Sequence, residues 1–470
     1  MRSTNSTFLI FNTTHVPICV VEKYFLRRLW HLDNFVCANI IKVQAIDEPQ
    51  RDDDMNGYMT AHDAAKKWGV TPRQVQILCK ENRIVGASQM SRVWIIPKNA
   101  EKPTGEKKVI RKKRVDLSNA PWRMHEFFAG SGLVAYGLKD MFSPVWANDI
   151  SEQKADVYHA NFKSDHFKLG DIEDVNGRTL PYAHLSWASF PCQDLSLAGN
   201  IGGIHAARSG LVWEWFRVLD EMERKPKILL LENVAGLLST NNGDNYRMLH
   251  TALVKRGYDC GAFVLNAVHF APQSRPRVFI IAVQHGEHIP PELVGDGPCW
   301  LHNKAATNLG NSLEGWVWWK TEEPPKCKML LQDIIEKDIP FDKDHVLSLI
   351  PKRHMEKLIA KDIVYATGYR RTRNGEQQLE LRFDGIAGCL RTPEGGSSKQ
   401  YLVVRKNGEI HARLLTVREA ARLMGAPDSF VLPGSDNNGY QAMGDAVAMP
   451  VAQFIGERFL TKIAEAVYYD

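Results

Sequence analysis

The sequence lacks the features of zinc-binding, disulfide-rich, secreted and membrane-spanning proteins. Its eight cysteines are scattered over 470 residues, and no Cys-x-x-Cys pair or Cys/His cluster has the spacing of a zinc site. A chain of this length needs no disulfide framework. No apolar run reaches the roughly 18 residues of a transmembrane helix, and the apolar segment 7–11 is too short for the core of a signal peptide. We therefore expect a cytoplasmic protein with no structural metal and no membrane association.

The sequence also lacks a strong excess of one charge and any internal repeat. Lys and Arg number 59 against 54 Asp and Glu, and the net charge of +5 is compatible with a polyanionic partner without indicating one. Hydrophobic residues make up 44% and charged residues 24% of the chain, which is ordinary for a globular protein. The length fits two or three domains.

Residues 1–55 do not have the pattern of a domain. One amphipathic helix fits within 20–46, but the flanking residues frame it poorly. Met55 lies directly before a well-patterned segment. We expect either a loosely ordered extension or, for residues 1–54, sequence translated from upstream of the natural start.

Residues 56–98 have the pattern of a small two-helix module. Thr60 is placed to cap a first helix that ends at Gly69, and the pair Thr71-Pro72 opens a second helix. Two short strands are expected after the helices, at 83–84 and 93–96.

This module resembles a helix-turn-helix of the excisionase-like kind. In that arrangement polar side chains of the second helix would face the major groove of DNA; they are Arg73, Gln74 and Gln76. The alternative is a helical interaction module whose polar face is solvated. The basic linker 99–121 that follows would contact phosphates or would simply be solvated.

From Trp122 the pattern changes to alternating short strands and helices. The predicted strands end near residues 128, 147, 172, 190, 231, 266 and 283. Repeated β-α units predict a doubly wound, mostly parallel α/β sheet for residues 122–285. Beyond it the regular period is lost, so we expect an irregular domain inserted at 286–410. Residues 411–470 return to a helical pattern and complete the first domain.

A glycine-rich turn joins the first of these strands to a helix. Gly130 and Gly132 let the backbone approach a ligand closely, and Asp149 closes the next strand, where a carboxylate accepts hydrogen bonds from ribose hydroxyls. Asp171, at the third strand end, is placed to meet an adenine amino group. The turn lacks a full Gly-x-Gly-x-x-Gly motif, so it suits adenosine without a pyrophosphate, as in S-adenosylmethionine. A glycine turn required only for packing is the alternative.

Side chains capable of catalysis occur at three later strand ends. Cys192 follows the strand that ends near 190, Glu232 follows the next, and Arg275 and Arg277 precede a later one. A cysteine alone is more often a buried core residue. Strand ends on one edge of a sheet lie near each other, however, so a thiol nucleophile, a carboxyl group and a guanidinium are expected to converge there.

Seven motifs occur in the order in which one enzyme family has them. They are Phe128-Ala-Gly-Ser-Gly132, Asn148-Asp149, Gly170-Asp171-Ile172, Phe190-Pro-Cys-Gln193, Glu232-Asn-Val234, Gln273-x-Arg275-x-Arg277 and Gly444-Asp445-Ala446-Val447. Together they strongly resemble the DNA (cytosine-5)-methyltransferases of bacteria. The resemblance covers 122–285 and 411–470, and it places the variable target-recognition domain of the family at 286–410.

The resemblance implies the fold of S-adenosylmethionine-dependent methyltransferases and a mechanism. The target cytosine is flipped out of the duplex, and the Cys192 thiolate attacks its C6. Glu232 holds or protonates N3, and Arg275 orients the base and the carboxyl group. Gln193 and Arg277 match supporting positions around the catalytic loop, and Gln193 is expected to contact DNA. A mobile loop is expected at 196–209.

The resemblance also implies a set of cofactor-binding residues for S-adenosylmethionine. They are Phe128, Gly130, Gly132, Asp149, Ile150, Asp171, Ile172, Pro191 and Val447. The chain departs from the family in one motif, because Asp445-Ala446 stands where members usually have Asn-Ser. That Asn supports the recognition domain and the catalytic loop, and Asp keeps an acceptor while adding a charge.

The recognition region contains two segments that look like the DNA-reading loops of the family, at 384–393 and 395–400. Arg391, Lys399 and Gln400 are the side chains expected to meet base edges or phosphates. The alternative is a solvated, turn-rich loop.

The sequence thus predicts a monomeric enzyme that methylates duplex DNA, with a restriction endonuclease encoded nearby as a further partner. A transcription regulator with an inactive methyltransferase domain is one alternative, and the intact Cys192, Glu232, Arg275 and Arg277 argue against it. Methylation of RNA is another, and the Cys-Phe-Thr signature of that branch is absent.

Overall fold

A computed structural model describes residues 57–80, 84, 86–90, 93–103, 114–191, 210–337, 339, 346–361, 364–393 and 398–469 of the chain. The chain divides into two units between Lys108 and Val109, and each is described separately. Cys192, Gln193, the predicted loop 196–209 and the predicted extension 1–55 lie outside the described residues.

The smaller unit contains two short helices and a small antiparallel sheet. Its elements are β1 (Tyr58–Thr60), α1 (Ala61–Trp68), α2 (Pro72–Lys80), β2 (Ser88–Met90) and β3 (Val93–Pro97). The strand order is β1-β3-β2. The strand predicted at 83–84 is misplaced, because the strand that pairs with β3 is β2.

The predicted helix caps of this unit are confirmed. The backbone N–H of Asp63 donates to the Thr60 hydroxyl at 3.2 Å, and the Thr60 N–H donates to the Asp63 carboxylate at 3.1 Å. This reciprocal pair satisfies two N–H groups at the start of α1. Gly69 ends the helix with φ of 65°, a conformation that favours glycine.

The larger unit is built on one sheet with helices on both faces. Its strands are β4 (Trp122–Phe127), β5 (Phe142–Asp149), β6 (Phe167–Leu169), β7 (Leu185–Ser189), β8 (Ile228–Val234), β9 (Tyr258–Asn266) and β10 (Pro276–Gln284). Among the described residues this sheet has the order β6-β5-β4-β7-β8-β10-β9. Every neighbouring pair is parallel except the two that involve β10. The prediction of a mostly parallel α/β sheet is confirmed.

Helices cover this sheet and bury both of its faces in apolar cores. In chain order the helices of the larger unit are α3 (Leu133–Leu138), α4 (Glu152–Asn161), α5 (Leu211–Glu221), α6 (Asp244–Val254), α7 (Lys304–Gly310), α8 (Lys352–Ile359), α9 (Val417–Leu423), α10 (Asp436–Gly444), α11 (Met449–Ile455) and α12 (Thr461–Tyr469). Helix α8 is the exception to this packing, because its buried Leu358 lies in the core of the second sheet described below. The strand order reverses at β4, whose neighbours are β5 and β7, and ligands bind at such a switch point, outside the carboxyl ends of the strands. No helix in the described ranges is both long and apolar enough to cross a bilayer.

Part of the region expected to be irregular forms a second sheet. The strands are β11 (Val364–Arg373), β12 (Glu376–Arg382), β13 (Gln400–Lys406) and β14 (Glu409–Leu414), antiparallel in the order β12-β11-β13-β14. The expectation of an irregular structure is therefore wrong for these segments. Each strand is buried over only part of its length, and β11 ends in two exposed polar residues, Thr372 and Arg373. The alternating apolar signal is therefore too short to recognise.

The segment 290–335 packs with the main sheet rather than with the second one. Leu293, Leu301, Val317 and Trp319 are buried in the same core as β4 and β5. The indole of Trp319 donates to the carbonyls of Gly261 and Ile281. The regular sequence pattern is lost near residue 286, but the chain beyond that residue still packs in the core of the main sheet.

Candidate active site

A cavity of about 780 Å³ lies at the carboxyl ends of β4, β5, β7 and β8. Its other walls are the loop 389–392, which leads out of the second sheet, and the turn 444–447. The cavity is thus at the switch point of the sheet, and eight of the nine predicted cofactor residues line it. They are Phe128, Gly130, Asp149, Ile150, Asp171, Ile172, Pro191 and Val447.

The glycine-rich turn has a backbone that few other sequences could adopt. Gly130 and Gly132 have φ of 57° and 82°, and Phe128, which is not a glycine, has φ of 57°. A β-carbon on Gly132 would lie 2.5 Å from the Phe162 ring, so this glycine, the ninth predicted residue, is required for packing as well as for conformation. Strain of the kind seen at Phe128 is concentrated at functional sites.

Asp149 is buried at the cavity wall and is fixed by the backbone. Its two carboxylate oxygens accept hydrogen bonds from the N–H groups of Gly130 and Ser151, each at 2.9 Å. A carboxylate oxygen has further lone pairs, so both can still accept from a ligand. Ile150 next to it is 68% exposed. A fixed carboxylate beside an apolar surface fits the ribose and adenine of S-adenosylmethionine.

Glu232 and Arg277 also line the cavity, and they form an ion pair. Arg277 Nε is 3.3 Å from Glu232 Oε1, with side chains 15% and 7% exposed. Burial raises the pKa of Glu232 above its ordinary value, although Arg277 and Arg275 act to lower it. A carboxyl group whose pKa is raised retains its proton more readily and can donate it to a bound base.

Arg275 occupies a different environment from the one predicted. Its guanidinium is fully buried and donates to the carbonyls of Leu390, Gly444 and Ala446 at 2.8–2.9 Å. Those bonds tie the tip of the β9–β10 hairpin to the loop 389–392 and the turn 444–447. The structure therefore brings Arg277, not Arg275, into contact with Glu232.

The turn 444–447 approaches the loop 389–392 very closely. A β-carbon on Gly444 would lie 2.5 Å from the carbonyl carbon of Arg391 and 2.6 Å from the nitrogen of Thr392. No larger residue fits there without moving one of the two segments. The Gly-x-x-Val motif thus keeps the loop 389–392 against the cavity.

The predicted DNA-reading residues lie in three different environments. Arg391 is exposed and lines the cavity. Lys399 donates to the side chain of Asn437 at 2.7 Å. Gln400 is buried, and its amide bonds to the backbone of Gly388 and to the Tyr369 hydroxyl. We therefore keep Arg391 and Lys399 as candidates and do not carry Gln400 forward.

Arg73 and Gln76, predicted to read DNA from the smaller unit, are both exposed on α2. Gln74 instead accepts a hydrogen bond from the N–H of Thr71 at 3.0 Å. DNA binding by this unit stays a prediction.

Cys192 follows a segment that the structure does place. The carbonyl of Phe190 accepts a hydrogen bond from the Asn233 side chain at 2.9 Å, and Pro191 lines the cavity. The chain therefore leaves β7 beside the Glu232 wall. The motifs Phe-Pro-Cys-Gln and Glu-Asn-Val are linked by this bond.

An ion pair that the sequence did not indicate crosses one wall of the cavity. Lys154 Nζ lies 2.5 Å from Asp445 Oδ2. The sequence shows the added charge of Asp445 but gives no indication of its partner. Lys154 lies in the first turn of α4, and no motif or periodicity connects it with a turn almost 300 residues later.

Comparison with known proteins gives concordant matches. The family described as C-5 cytosine-specific DNA methylase matches residues 122–461. The chain is 27% identical to the Type II methyltransferase M.Bsp6I of Bacillus sp. (strain RFL6), covering 70% of this chain and 96% of that protein. It is 26% identical to the Type II methyltransferase M.HhaI of Haemophilus parahaemolyticus, covering 71% and 92%. The solved Dnmt2 methyltransferase of S. pombe aligns with a TM-score of 0.46 at 18% identity, covering 74% and 99%.

The family match spans the main sheet, the cavity and the second sheet, and enzymes of this family use S-adenosylmethionine as methyl donor. The chain belongs to the C-5 cytosine-specific DNA methylase family and is a DNA (cytosine-5)-methyltransferase.

Proposed function

We propose that this enzyme methylates C5 of a cytosine flipped out of a specific duplex DNA sequence, through a transient covalent bond between Cys192 Sγ and C6. One observation carries the proposal. The buried Glu232–Arg277 pair and the fixed carboxylate of Asp149 face the same cavity at the switch point of the sheet. A group proposed to activate the base and a group proposed to hold the cofactor thus line the same cavity, whose volume of about 780 Å³ exceeds that of a nucleobase.

The activation of cytosine follows from this arrangement. The Cys192 thiolate adds to C6, and Glu232, whose pKa is raised by burial, donates a proton to N3. Proton donation to N3 prevents negative charge from building up on the ring and makes C5 nucleophilic. Arg277, in contact with Glu232, orients the carboxyl group and the base. Arg275 acts at a distance by holding the two loops that border the cavity.

The remaining steps balance as follows. S-adenosylmethionine supplies the electrophilic methyl group that C5 takes, and the sulfonium charge passes to the covalent adduct. A base then removes the C5 proton, the N3 proton returns to Glu232, and the C6–S bond breaks. Cys192 leaves as a thiolate, so the net products are 5-methylcytosine, the neutral thioether and one proton.

The cofactor is held by residues on one side of the cavity. Asp149 would accept hydrogen bonds from the ribose, Asp171 would accept one from the adenine amino group, and Ile150 would supply an apolar surface for the adenine. The glycine-rich turn leaves space for close approach of the ligand to the backbone at Gly130.

Sequence recognition is assigned to residues 286–410, with Arg391 and Lys399 as the side chains that contact DNA. The smaller unit, a helix-turn-helix that exposes Arg73 and Gln76, adds affinity for DNA or binds the promoter of its own gene. Because similar proteins are named Type II methyltransferases, we place the enzyme in restriction-modification or host defence. A cognate endonuclease encoded nearby and action as a monomer are part of this proposal.

Trapping on DNA that contains 5-fluorocytosine tests the covalent step, because fluorine at C5 prevents release of the thiol. We expect wild-type enzyme with S-adenosylmethionine to form an adduct that survives denaturing electrophoresis and Cys192→Ser to form none. An adduct with Cys192→Ser would contradict the nucleophile assignment. Bisulfite sequencing of host DNA after expression is expected to show one methylated sequence context. Unmethylated DNA, or methylation of RNA alone, would contradict the proposed substrate.

A further inference from the structure

Lys154 and Asp445 form an ion pair between two segments that line the cavity, the start of α4 and the turn 444–447. Lys154 belongs to α4, directly after the strand end that carries Asp149, and Asp445 follows α10. The 2.5 Å contact between Lys154 Nζ and Asp445 Oδ2 closes the gap between them. Neither side chain has a part in the chemistry proposed above.

This pair contributes little to the stability of the fold. The Lys154 and Asp445 side chains are 21% and 40% exposed within the open cavity, and ion pairs that solvent reaches add little net free energy of folding. The stem of Lys154 runs over the glycine-rich turn, with Cδ 4.0 Å from the place where a β-carbon on Gly130 would lie. Its ammonium group is therefore held at the cavity wall.

Two carboxylates act electrostatically on Lys154, those of Asp445 and Asp149, and Asp445 is the one in contact with it. Burial acts to lower the pKa of Lys154, but Asp445 and Asp149 outweigh it and raise the pKa, so the side chain is a cation. Without the Asp445 charge, Asp149 is the remaining carboxylate that attracts the ammonium group. Asp149 is the residue to which we assign the ribose hydroxyls.

The net charge near Lys154 also affects how strongly the cavity binds the methyl donor relative to its product. S-adenosylmethionine carries a sulfonium cation that its product, S-adenosylhomocysteine, has lost. An unneutralised lysine therefore disfavours the methyl donor more than the product, since the remainder of the two molecules is the same. Asp445 neutralises that lysine.

We propose that Asp445 and Lys154 are positioning residues that set the charge of the cofactor cavity. By pairing with Lys154, Asp445 keeps the ammonium group away from Asp149 and preserves the preference for the cationic methyl donor over the neutral product. This inference rests on the proposed function, which assigns the cavity to the cofactor. It also accounts for the departure from the family pattern, because an amide at 445 would leave Lys154 unneutralised.

Two charge-removing variants of similar shape test the proposal, Asp445→Asn and Lys154→Met, together with the double variant. Dissociation constants for S-adenosylmethionine and S-adenosylhomocysteine are measured by titration calorimetry on the full chain without DNA. We expect Asp445→Asn to weaken donor binding about three- to tenfold more than product binding. Lys154→Met should shift the ratio of the two constants in the opposite direction, and the double variant should return it to near the wild-type value.

A matched ion pair elsewhere provides the control. Lys163 Nζ and Asp116 Oδ2 are also 2.5 Å apart, but neither residue lines the cavity. Asp116→Asn and Lys163→Met should leave the ratio unchanged. A general distortion of the fold weakens both ligands alike, so the ratio reports on charge alone.

The outcomes separate this inference from the proposed function. Single variants that leave the ratio unchanged, or shift it in the same direction, would overturn the role of the pair. Asp149→Ala serves as the test of the cavity assignment. If it leaves donor binding intact, the assignment itself fails. If it abolishes binding while Asp445→Asn behaves like wild type, only the inference about the pair fails.

Discussion

At the scale of single residues, Arg275 and Arg277 show how two neighbouring arginines acquire different tasks. Arg275 is fully buried and donates to three backbone carbonyls, whereas Arg277 reaches the Glu232 carboxylate. Burial lowers the pKa of Arg275 to about 10, which still leaves it cationic at neutral pH. Arg275 therefore holds the loop 389–392 and the turn 444–447 together, whereas Arg277 pairs with the carboxyl group that we propose to be catalytic.

Replacement of each arginine by methionine should separate these tasks. We expect Arg277→Met to lower kcat about 100- to 1000-fold, as removal of one stabilising donor does, with little change in melting temperature. Arg275→Met leaves buried carbonyls without donors, at a cost of about 1–3 kcal/mol each, and should lower the melting temperature clearly. Single-turnover methylation and thermal denaturation measure the two effects. Equal losses of melting temperature in both variants would contradict the assignment.

The sequence located these residues but could not distinguish them. The order of the motifs places Glu232, Arg275 and Arg277 at one edge of the sheet, and the structure agrees. Arg275 and Arg277 are only two residues apart, so the sequence alone does not show which of them contacts the Glu232 carboxylate. The partner of Asp445 and the burial of Gln400 depend on contacts between distant segments, to which no local pattern corresponds.

At the scale of elements, the turn after α10 and the loop 389–392, which lies between β12 and β13 of the second sheet, are packed against each other at the cavity. Gly444 permits that contact, since its position leaves no room for a β-carbon. The contact connects the loop that carries Arg391, which we propose to contact DNA, to the cavity that we propose to hold the cofactor. Its geometry should therefore affect activity more than stability.

Gly444→Ala tests this contact, with Gly434→Ala as the control, because a β-carbon at 434 meets nothing within 4 Å. Adding a methyl group to a packed site costs about 1–3 kcal/mol. We expect this strain to be relieved by displacement of the loop 389–392. We expect Gly444→Ala to lower kcat/KM for DNA at least about tenfold and Gly434→Ala to match wild type, both measured by methyl transfer to duplex DNA. Wild-type kinetics for Gly444→Ala would show that the loop tolerates displacement.

The sequence predicted the strands of the main sheet but not those of the second sheet, and the reason is physical. The β-α units of the main sheet are recognisable because their strands are buried on both faces and read as apolar runs. Helix α3 ends at Leu138 and β5 begins at Phe142, although the apolar spacing continues as if the helix reached Phe142. The strands of the second sheet alternate over only short stretches, so their pattern is lost among charged residues.

At the scale of the whole molecule, the chain consists of a methyltransferase unit and a smaller unit that comes before it. The similar Type II methyltransferases are covered over 92–96% of their own length by about 70% of this chain. The match with the family begins at residue 122. Proteins of that size are therefore complete enzymes without the smaller unit.

Removal of the smaller unit tests its contribution. We expect the fragment 109–470 to retain kcat within about twofold, because the proposed cavity and its supporting cores lie in that unit. If α2 contacts phosphates, the slope of log Kd against log salt concentration should become shallower by about 1–3. DNA binding at several salt concentrations gives the slope for both proteins. Identical slopes would contradict DNA binding by the smaller unit.

Strand β10 runs opposite to its neighbours, and this direction has a consequence for tolerance to insertions. The other strands reach the cavity edge as they end, whereas β10 reaches it as it begins. The connection 267–275 before β10 thus ends with Arg275 and leads directly into Arg277, the second residue of β10, which pairs with Val234 of β8 near Glu232. One residue added to or removed from that connection would exchange the directions of the two side chains together. The length of this connection is therefore as much a part of the active site as the residues it carries.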